Sequence, residues 1–319
     1  MKFLVTGAGG PAGTNIINYF PKTETVIACD ADPGARKRLA RIGKGRIKFY
    51  RVPLARDDSF QSELTKIVDS EKPDYIIPTV DEELAVLSES NAAFMNRVII
   101  SPPKTIKTCL DKKNLYDFFE GEPFCPFFVS AYNRSQLEEA FEDRPLFMKP
   151  RVGRGSRGTD YFDNVEAVPD KLINTDNIFC EFLPGQEYTA DVMCDMKGKP
   201  LVIVPRKRLD TEQGISVLGE TEKRADLIEI IKEICGELVF VGGANMQFKL
   251  DCEGKPKLVE VNPRFSGGLP ITVAAGINPV EIMVEILHKR KIGRNMLLWS
   301  EVRAENRIAK KIGRDYKQP

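Results

Sequence analysis

The sequence predicts an α/β protein that opens with a parallel sheet and turns antiparallel in its C-terminal third, giving an α+β lobe there. Two patterns carry the prediction. From Lys2 to Ile100, short apolar runs alternate with amphipathic stretches, the order that builds a parallel sheet with helices on both faces. From Tyr188 on, apolar runs are joined by short turns at Lys197-Gly198-Lys199 and Glu253-Gly254, which suits antiparallel hairpins. At 319 residues the chain has room for two or three domains.

The first strand is Lys2–Thr6, entering the turn Gly7-Ala-Gly9-Gly10-Pro-Ala-Gly13 and a helix from Thr14 to about Phe20. Thr25–Cys29 is the second strand and stops at Asp30. A helix around Phe60–Ser70 precedes a strand at Asp74–Pro78, and Asp81–Ser90 is helical, with acids in its first turn as the helix dipole favours. A short strand at Arg97–Ile100 ends this part, and Ser101-Pro102-Pro103 reads as a linker. Helices follow at Pro103–Cys109, Asp111–Phe119 and Ser135–Phe141, with strands at Phe127–Val129, Leu146–Lys149, Asp160–Phe162 and Ile178–Phe182. The C-terminal part has strands at Tyr188–Asp195, Leu201–Val204, Ala244–Leu250 and Lys257–Val261, and helices at Ala225–Cys235 and Val280–His288. The stretch Asp210–Glu220 reads as a loop that bears on specificity.

Composition excludes several kinds of chemistry. The net charge is +1, so no global field draws the chain to nucleic acid or to a membrane surface. No apolar run is long enough to span a bilayer, and the N-terminus does not read as a signal peptide. Seven scattered cysteines form neither a disulfide framework nor a zinc ladder, which fits a reducing cytoplasm. The single histidine, His288, reads as a solvated residue at a helix C-terminus. The composition therefore disfavours histidine-based triads, histidine-rich zinc sites and Cys-His glutaminases, and points to catalysis on lysine, arginine, carboxylates and metal.

Three clusters remain as candidates. Gly7, Gly10 and Gly13 follow a strand and open a helix, and Asp30 ends the next strand. This approaches a dinucleotide fingerprint and suggests an NAD-dependent oxidoreductase or epimerase, although the same glycines also suit a tight turn alone. None of the eight tyrosines is followed four positions later by the lysine that short-chain reductases use. The second cluster begins with Lys149 at a strand end, followed by a loop with Gly153, Arg154, Gly155, Ser156, Arg157 and Gly158. Backbone N–H groups in such a loop form an anion nest, and the lysine adds a mobile cation; a surface hairpin is the other reading. Further on, Glu181, Phe182, Leu183 and Glu187 can offer backbone and apolar contact to a base and a carboxylate to ribose hydroxyls, although these residues in isolation favour an ordinary strand-to-strand connection. The third cluster is Gln247, Glu260 and Asn262, hard oxygen donors on two neighbouring strands, which Mg²⁺ prefers. Arg264 follows a stiffening proline and suits an oxyanion.

Taken in series, these motifs resemble those of the ATP-grasp ligases, most closely the group similar to the large subunit of carbamoyl-phosphate synthetase. The matching segments are Ile76–Leu84, Asp111-Lys112, Phe147–Gly158, Glu181–Glu187, Asn245-Met-Gln247-Phe and Glu260–Gly268. The resemblance covers nearly the whole chain and implies a Rossmann-like preATP-grasp domain over 1–102, a small lobe with the glycine-rich loop over 103–177, and a C-terminal lobe with the Mg²⁺-binding strands over 178–319. It implies that Lys112 and Lys149 contact the phosphates of ATP, that Gly153, Arg154, Gly155, Ser156 and Gly158 close over them, and that Glu181, Phe182, Leu183 and Glu187 hold adenine and ribose. Gln247, Glu260 and Asn262 are implied to position Mg²⁺, for which Mn²⁺ substitutes, with Gln247 also on the nucleotide side. Arg264 and Lys149 are the implied catalytic residues, and Arg206, Arg208 and Arg264 the substrate side. In this family the N-terminal domain forms part of the substrate face and generally holds no NAD.

The reaction so implied joins a small carboxylate to an amine or thiol through an acyl phosphate, releasing ADP and phosphate, in a cytoplasmic protein that, like many of the family, forms a homodimer. The resemblance supplies one ATP-grasp unit, whereas the carbamoyl-phosphate synthetase large subunit carries two. Half of a split enzyme of that type, an NAD-dependent enzyme and an ATP sensor without turnover are the alternatives.

Overall fold

The computed structural model describes residues 1–42, 47–153, 155 and 157–315. The N-terminal part runs β1 (Lys2–Val5), α1 (Pro11–Tyr19), β2 (Thr25–Asp30), α2 (Ala35–Ile42), β3 (Lys48–Arg51), α3 (Phe60–Glu71), β4 (Tyr75–Ile77) and α4 (Asp81–Ser88). Its sheet is parallel throughout, in the order β3-β2-β1-β4. Side chains alternate between its two faces. Phe3 and Val5 pack with Ile16, Ile17 and Phe20 on one side, while Leu4, Ile27 and Cys29 pack with Phe60, Leu64 and Ile67 on the other. Both faces are therefore buried, as a parallel sheet requires.

The middle part consists of α5 (Pro103–Leu110), α6 (Lys112–Phe118), β5 (Phe128–Val129), α7 (Arg134–Phe141), β6 (Leu146–Pro150), β7 (Asp160–Phe162) and β8 (Asn177–Glu181). Its antiparallel sheet has the order β5-β8-β6-β7. The strand β8 straddles the expected boundary between 177 and 178, but it pairs with β5 and β6, so the change of sheet comes after Glu181.

The C-terminal part contains β9 (Glu187–Cys194), β10 (Pro200–Glu212), β11 (Ile215–Thr221), α8 (Ala225–Glu237), β12 (Gly242–Leu250), β13 (Pro256–Asn262), α9 (Leu269–Ala274), α10 (Pro279–Leu287), β14 (Arg303–Glu305) and α11 (Arg307–Asp315). Six strands form one antiparallel sheet, β13-β12-β9-β10-β11-β14. The period of two sorts its residues. Tyr188, Ala190, Val192, Ala244, Met246, Phe248 and Val261 face an apolar core closed by Leu227, Ile231 and Ile234 of α8. Each of these α8 side chains is fully buried, which stabilises the packing by about 1.5–3 kcal/mol apiece. The intervening residues Thr189, Asp191, Asn245, Gln247, Glu260 and Asn262 belong to the opposite face, where the candidate site lies.

Several expectations need correction. The strand at Arg97–Ile100 is instead a 3-10 turn over Ala93–Arg97 and a single bridge from Val98 to Ile76, because only Ile99 N–H finds a partner on β4. The stretch Asp210–Glu220 is not a loop. It is the end of β10, a tight turn at Gln213-Gly214 and most of β11, and both turn residues have positive φ. His288 is not a freely solvated residue: it caps α10, and its Nε2 lies 2.9 Å from Glu24 Oε1, because the segment after α1 packs there.

Candidate functional site

The site is assembled where the middle and C-terminal sheets meet the N-terminal turn. Asp111 caps α6 by accepting from Lys113 N–H at 2.9 Å, which places Lys112 at the first helical position. Lys112 N–H donates to Arg151 C=O at 2.9 Å, and the Arg151 guanidinium reaches Asp111 Oδ2 at 2.6 Å. The start of α6 is thereby fixed to the end of β6, which carries Lys149. Lys112 Nζ donates to Gly153 C=O at 3.0 Å and lies 3.7 Å from Glu260 Oε2, so it links the glycine-rich loop to the carboxylate on β13.

Lys149 is buried and donates to Tyr116 Oη and, at 3.2 Å, to Val259 C=O. A bulge explains that acceptor. Gln247 pairs with Glu260, but the next residue, Phe248, pairs with Leu258, so Val259 is left over and its carbonyl also accepts from Tyr116 Oη at 2.9 Å. Burial is the main reason the Lys149 ammonium falls below its ordinary pKa, with Lys112 adding to the effect and Cys180 and Glu260 opposing it.

These residues line a cavity of about 150 Å³ together with Tyr116, Phe147, Glu181, Phe182, Leu183 and Gln247. Leu183 is buried, and Phe182 packs edge-on against Tyr161 with ring centroids 4.7 Å apart. Glu181 Oε1 accepts Phe127 N–H at 2.8 Å, and Glu187 is ion-paired with Arg208 at 3.2 Å. Gly153 lines this cavity as well. Gly155 and Gly158 have φ of +66° and +68°, a backbone state that favours glycine. Arg154 and Ser156 lie outside the described residues.

A second cavity, of about 600 Å³, joins the first at Arg157, Gln247 and Glu260, which line both. The candidate metal donors face it. Asn262 Nδ2 donates to Glu260 Oε1 at 2.6 Å and to Asn245 Oδ1 at 3.3 Å, and Gln247 and Asn245 pair in register with Glu260 and Asn262. A carboxylate with neighbouring amide carbonyls is a hard donor set that fits Mg²⁺, which takes few protein ligands and completes its shell with phosphate and water; Asn262 here turns its Nδ2 to Glu260 and its Oδ1 to Arg264.

Five arginines border the same space, and three of them, Arg206, Arg208 and Arg264, are the expected substrate-side residues. Arg206 is almost fully enclosed, with Asp191 at 3.2 Å, Ser216 at 3.0 Å and Ser266 at 3.3 Å. The Gly268 backbone lies against its guanidinium, since a Cβ there would stand 2.2 Å from Nη2. Arg208 donates to Gly214 C=O at 2.9 Å and Thr189 Oγ1 at 3.3 Å. Arg264 grips Asp81 with both prongs at 2.7 Å. The expected carboxylate-binding and acyl-phosphate-binding side chains are thus brought together, each tied to a protein partner.

The N-terminal turn forms the far wall, through Gly7, Gly10, Pro11, Ala12 and Asp30. Asp30 does not present a free carboxylate to a ribose: it accepts Gly9 N–H and Asp32 N–H, both at 2.7 Å. Gly9 C=O is likewise occupied, by Arg38 Nε at 3.1 Å. The turn has satisfied much of its own polarity, which disfavours a dinucleotide there.

Sequence reasoning missed Tyr116, Thr189, Asn245, Ser216, Ser266 and Asp81 as site residues. Asn245 was recoverable, being two positions before Gln247 on the same strand face. Asp81 was not, because its partner is 183 residues away.

Residues 174–307 match the family model described as ATP-grasp in the biosynthetic pathway with Ter operon. The carbamoyl phosphate synthase large chain of Clostridium perfringens (strain 13 / Type A) is 24% identical over 272 residues, covering 77% of this chain and 24% of that one. The chain therefore spans about a quarter of the length of that curated relative. N5-carboxyaminoimidazole synthetase from Staphylococcus aureus, solved with ADP, superimposes with a TM-score of 0.69 at 14% identity, over 92% of this chain and 78% of that one. The L-amino acid ligase from Bacillus licheniformis gives a TM-score of 0.70 at 15% identity, over 93% and 77%. At these identities the structural likeness is one of fold. By that fold, and by the match over residues 174–307, the chain is similar to ATP-grasp proteins and to part of the carbamoyl phosphate synthase large chain.

Proposed function

We propose that the protein is an ATP-dependent ligase that joins a small carboxylate to an amine or amino acid, or to a thiol, through an acyl phosphate. The observation that carries this reading is the junction of the two cavities at Gln247 and Glu260. One side offers lysines, a glycine-rich loop and an apolar slot, which suit a nucleoside triphosphate. The other offers arginines and serines, which suit a carboxylate.

In this reading Lys112 and Lys149 bind phosphate oxygens, and Glu181, Phe182, Leu183 and Glu187 hold the base and ribose. The loop Gly153–Gly158 covers the phosphates and keeps water from the acyl phosphate. Gln247, Glu260 and Asn262 hold Mg²⁺, or Mn²⁺ in its place, which when bound offsets charge on the transferring phosphoryl group. Arg206 and Arg208 orient the acid, and Arg264 stabilises the negative charge that develops on the acyl phosphate. No histidine is required, in keeping with the single and distant His288. The division into units at 1–102, 103–177 and 178–319, with the second boundary moved past β8, serves this arrangement by placing the nucleotide between the last two. Among the described residues no helix is long and apolar enough to cross a membrane. A cytoplasmic location and a homodimer are parts of the same proposal, the latter tested by light scattering.

Incubation with ATP, Mg²⁺ and a matrix of carboxylates, amino acids and thiols tests the reading. ADP and phosphate should appear only with a matching acid, and Lys149→Ala should stop their release in a folded protein. Tight ATP binding without turnover on any pair would point to a sensor, and NADH binding without ATP binding to an oxidoreductase.

A further inference from the structure

The function proposed above uses nothing from the acidic start of α4, although Ile76–Leu84 is one of the motifs that mark the sequence. Asp81 is the first residue of α4 and belongs to the N-terminal part, while Arg264 follows β13 in the C-terminal part. Their side chains meet in a two-pronged pair, Arg264 Nε to Asp81 Oδ1 and Nη2 to Oδ2, both at 2.7 Å. Neither is a surface pair, with side-chain exposures of 15% and 16%. Arg264 is held by two more acceptors, Asn262 Oδ1 at 3.2 Å from Nη2 and Phe265 C=O at 3.2 Å from Nη1. A guanidinium carries five N–H protons, and these contacts occupy four. The remaining one, on Nη1, is left on a group whose plane is already fixed, and Arg264 lines the larger cavity.

That arrangement differs from a competitor for the arginine. A carboxylate that merely blocked Arg264 would not need Asn262, a candidate metal donor, on the same guanidinium. The fork instead orients the guanidinium relative to Asn262 and Glu260, which are themselves joined at 2.6 Å. We infer that Asp81 is a positioning residue for Arg264, through which the N-terminal part helps to set the geometry of the acyl-phosphate site. This rests on the ligase reading, in which Arg264 faces the acyl phosphate.

The test measures binding of acetyl phosphate in the presence of Mg²⁺ and ADP by isothermal titration calorimetry, with full-length wild type, Asp81→Asn, Asp81→Glu and Arg264→Ala. Thermal unfolding serves as the fold control. Asp81→Asn should weaken acetyl phosphate about tenfold and leave ADP affinity within about twofold. Asp81→Glu should recover part of the loss, and Arg264→Ala should lose at least as much as Asp81→Asn. With a turnover assay in hand, Asp81→Asn should lower kcat and leave KM for ATP unchanged. Wild-type affinity for acetyl phosphate in a folded Asp81→Asn, or a tighter one, would overturn the inference while leaving the ligase reading intact. If only the melting temperature falls, Asp81 is structural and the inference fails. A wild type that binds ADP with Mg²⁺ but not acetyl phosphate would remove the acyl-phosphate reading and the inference with it.

Discussion

Gln247 and Glu260 stand opposite one another across the antiparallel pair β12–β13, and both line both cavities. The bulge immediately after this pair frees the Val259 carbonyl for Lys149 and Tyr116. One irregularity in one ladder therefore connects the metal donors to the phosphate lysine.

Replacing Glu260 with alanine should abolish turnover while the protein still folds. It removes the one carboxylate among the candidate donors and the ion-pair partner of Lys112. Even outer-shell partners of metal ligands are worth roughly 10- to 100-fold, so a direct donor should cost at least about 100-fold. ADP release as a function of Mg²⁺ concentration, with circular dichroism as control, measures the loss; full activity in the variant would remove Glu260 from the site.

The glycine-rich loop rests on the β10–β11 turn. A Cβ on Gly214 would lie 2.6 Å from Gly155 Cα, and Gly214 itself has φ of +75°. Gly214→Val should push the loop away, weaken ATP by roughly tenfold, and cost about 1–2 kcal/mol of stability through its positive φ. Nucleotide titration and thermal unfolding read the two effects separately. Unchanged ATP affinity would show that the contact has no part in closing the loop.

Stability should fall as pH rises between about 4.5 and 8. Glu83 is buried against the N-terminal turn and accepts a hydrogen bond from Thr6. Burial, with the charge of Asp30 and Glu82 added and the Thr6 and Thr79 bonds opposing, pushes its carboxyl up to about 8. Between the unfolded value of 4.5 and about 8 the unfolded chain gives up the proton that the folded one keeps, so the unfolded state gains. Below that window the full stability is present, and it is lost by the time pH passes about 8. The Glu83→Gln variant should flatten the profile and be more stable than wild type at pH 8, by an amount on the order of a few kcal/mol. Urea unfolding at a series of pH values decides the matter; an equal slope in the variant would assign it elsewhere.

Much of the fold was legible because period and punctuation agree with burial. Lys2–Val5, Thr25–Asp30, Ala244–Leu250 and the helix from Ala225 have strong patterns, and their packing follows them. The β10–β11 hairpin was misread because Asp210–Glu212 is exposed and polar, so its strand character comes from ladder partners and not from an apolar face. Among the candidate site residues, Lys149, Gln247, Glu260 and Asn262 could be named because their chemical types stand out along short stretches of chain, whereas Lys112 came only through the resemblance. The commitments of the arginines could not: Arg206 to Asp191, Arg208 to Glu187 and Arg264 to Asp81 depend on strands and helices brought together by the fold.

The central claim is that one pocket binds ATP and transfers its γ-phosphate to a carboxylate in the adjoining one. The most direct measurement is product analysis, by phosphorus NMR for the nucleotides and phosphate and by the ferric-complex colour for the hydroxamate, after incubation with ATP, Mg²⁺, hydroxylamine as a trap and the carboxylate library. The account predicts ADP, phosphate and a hydroxamate that appear together, require a particular acid, and vanish in Lys149→Ala. AMP and pyrophosphate in place of ADP, or hydroxamate formation that persists in Lys149→Ala, would contradict it.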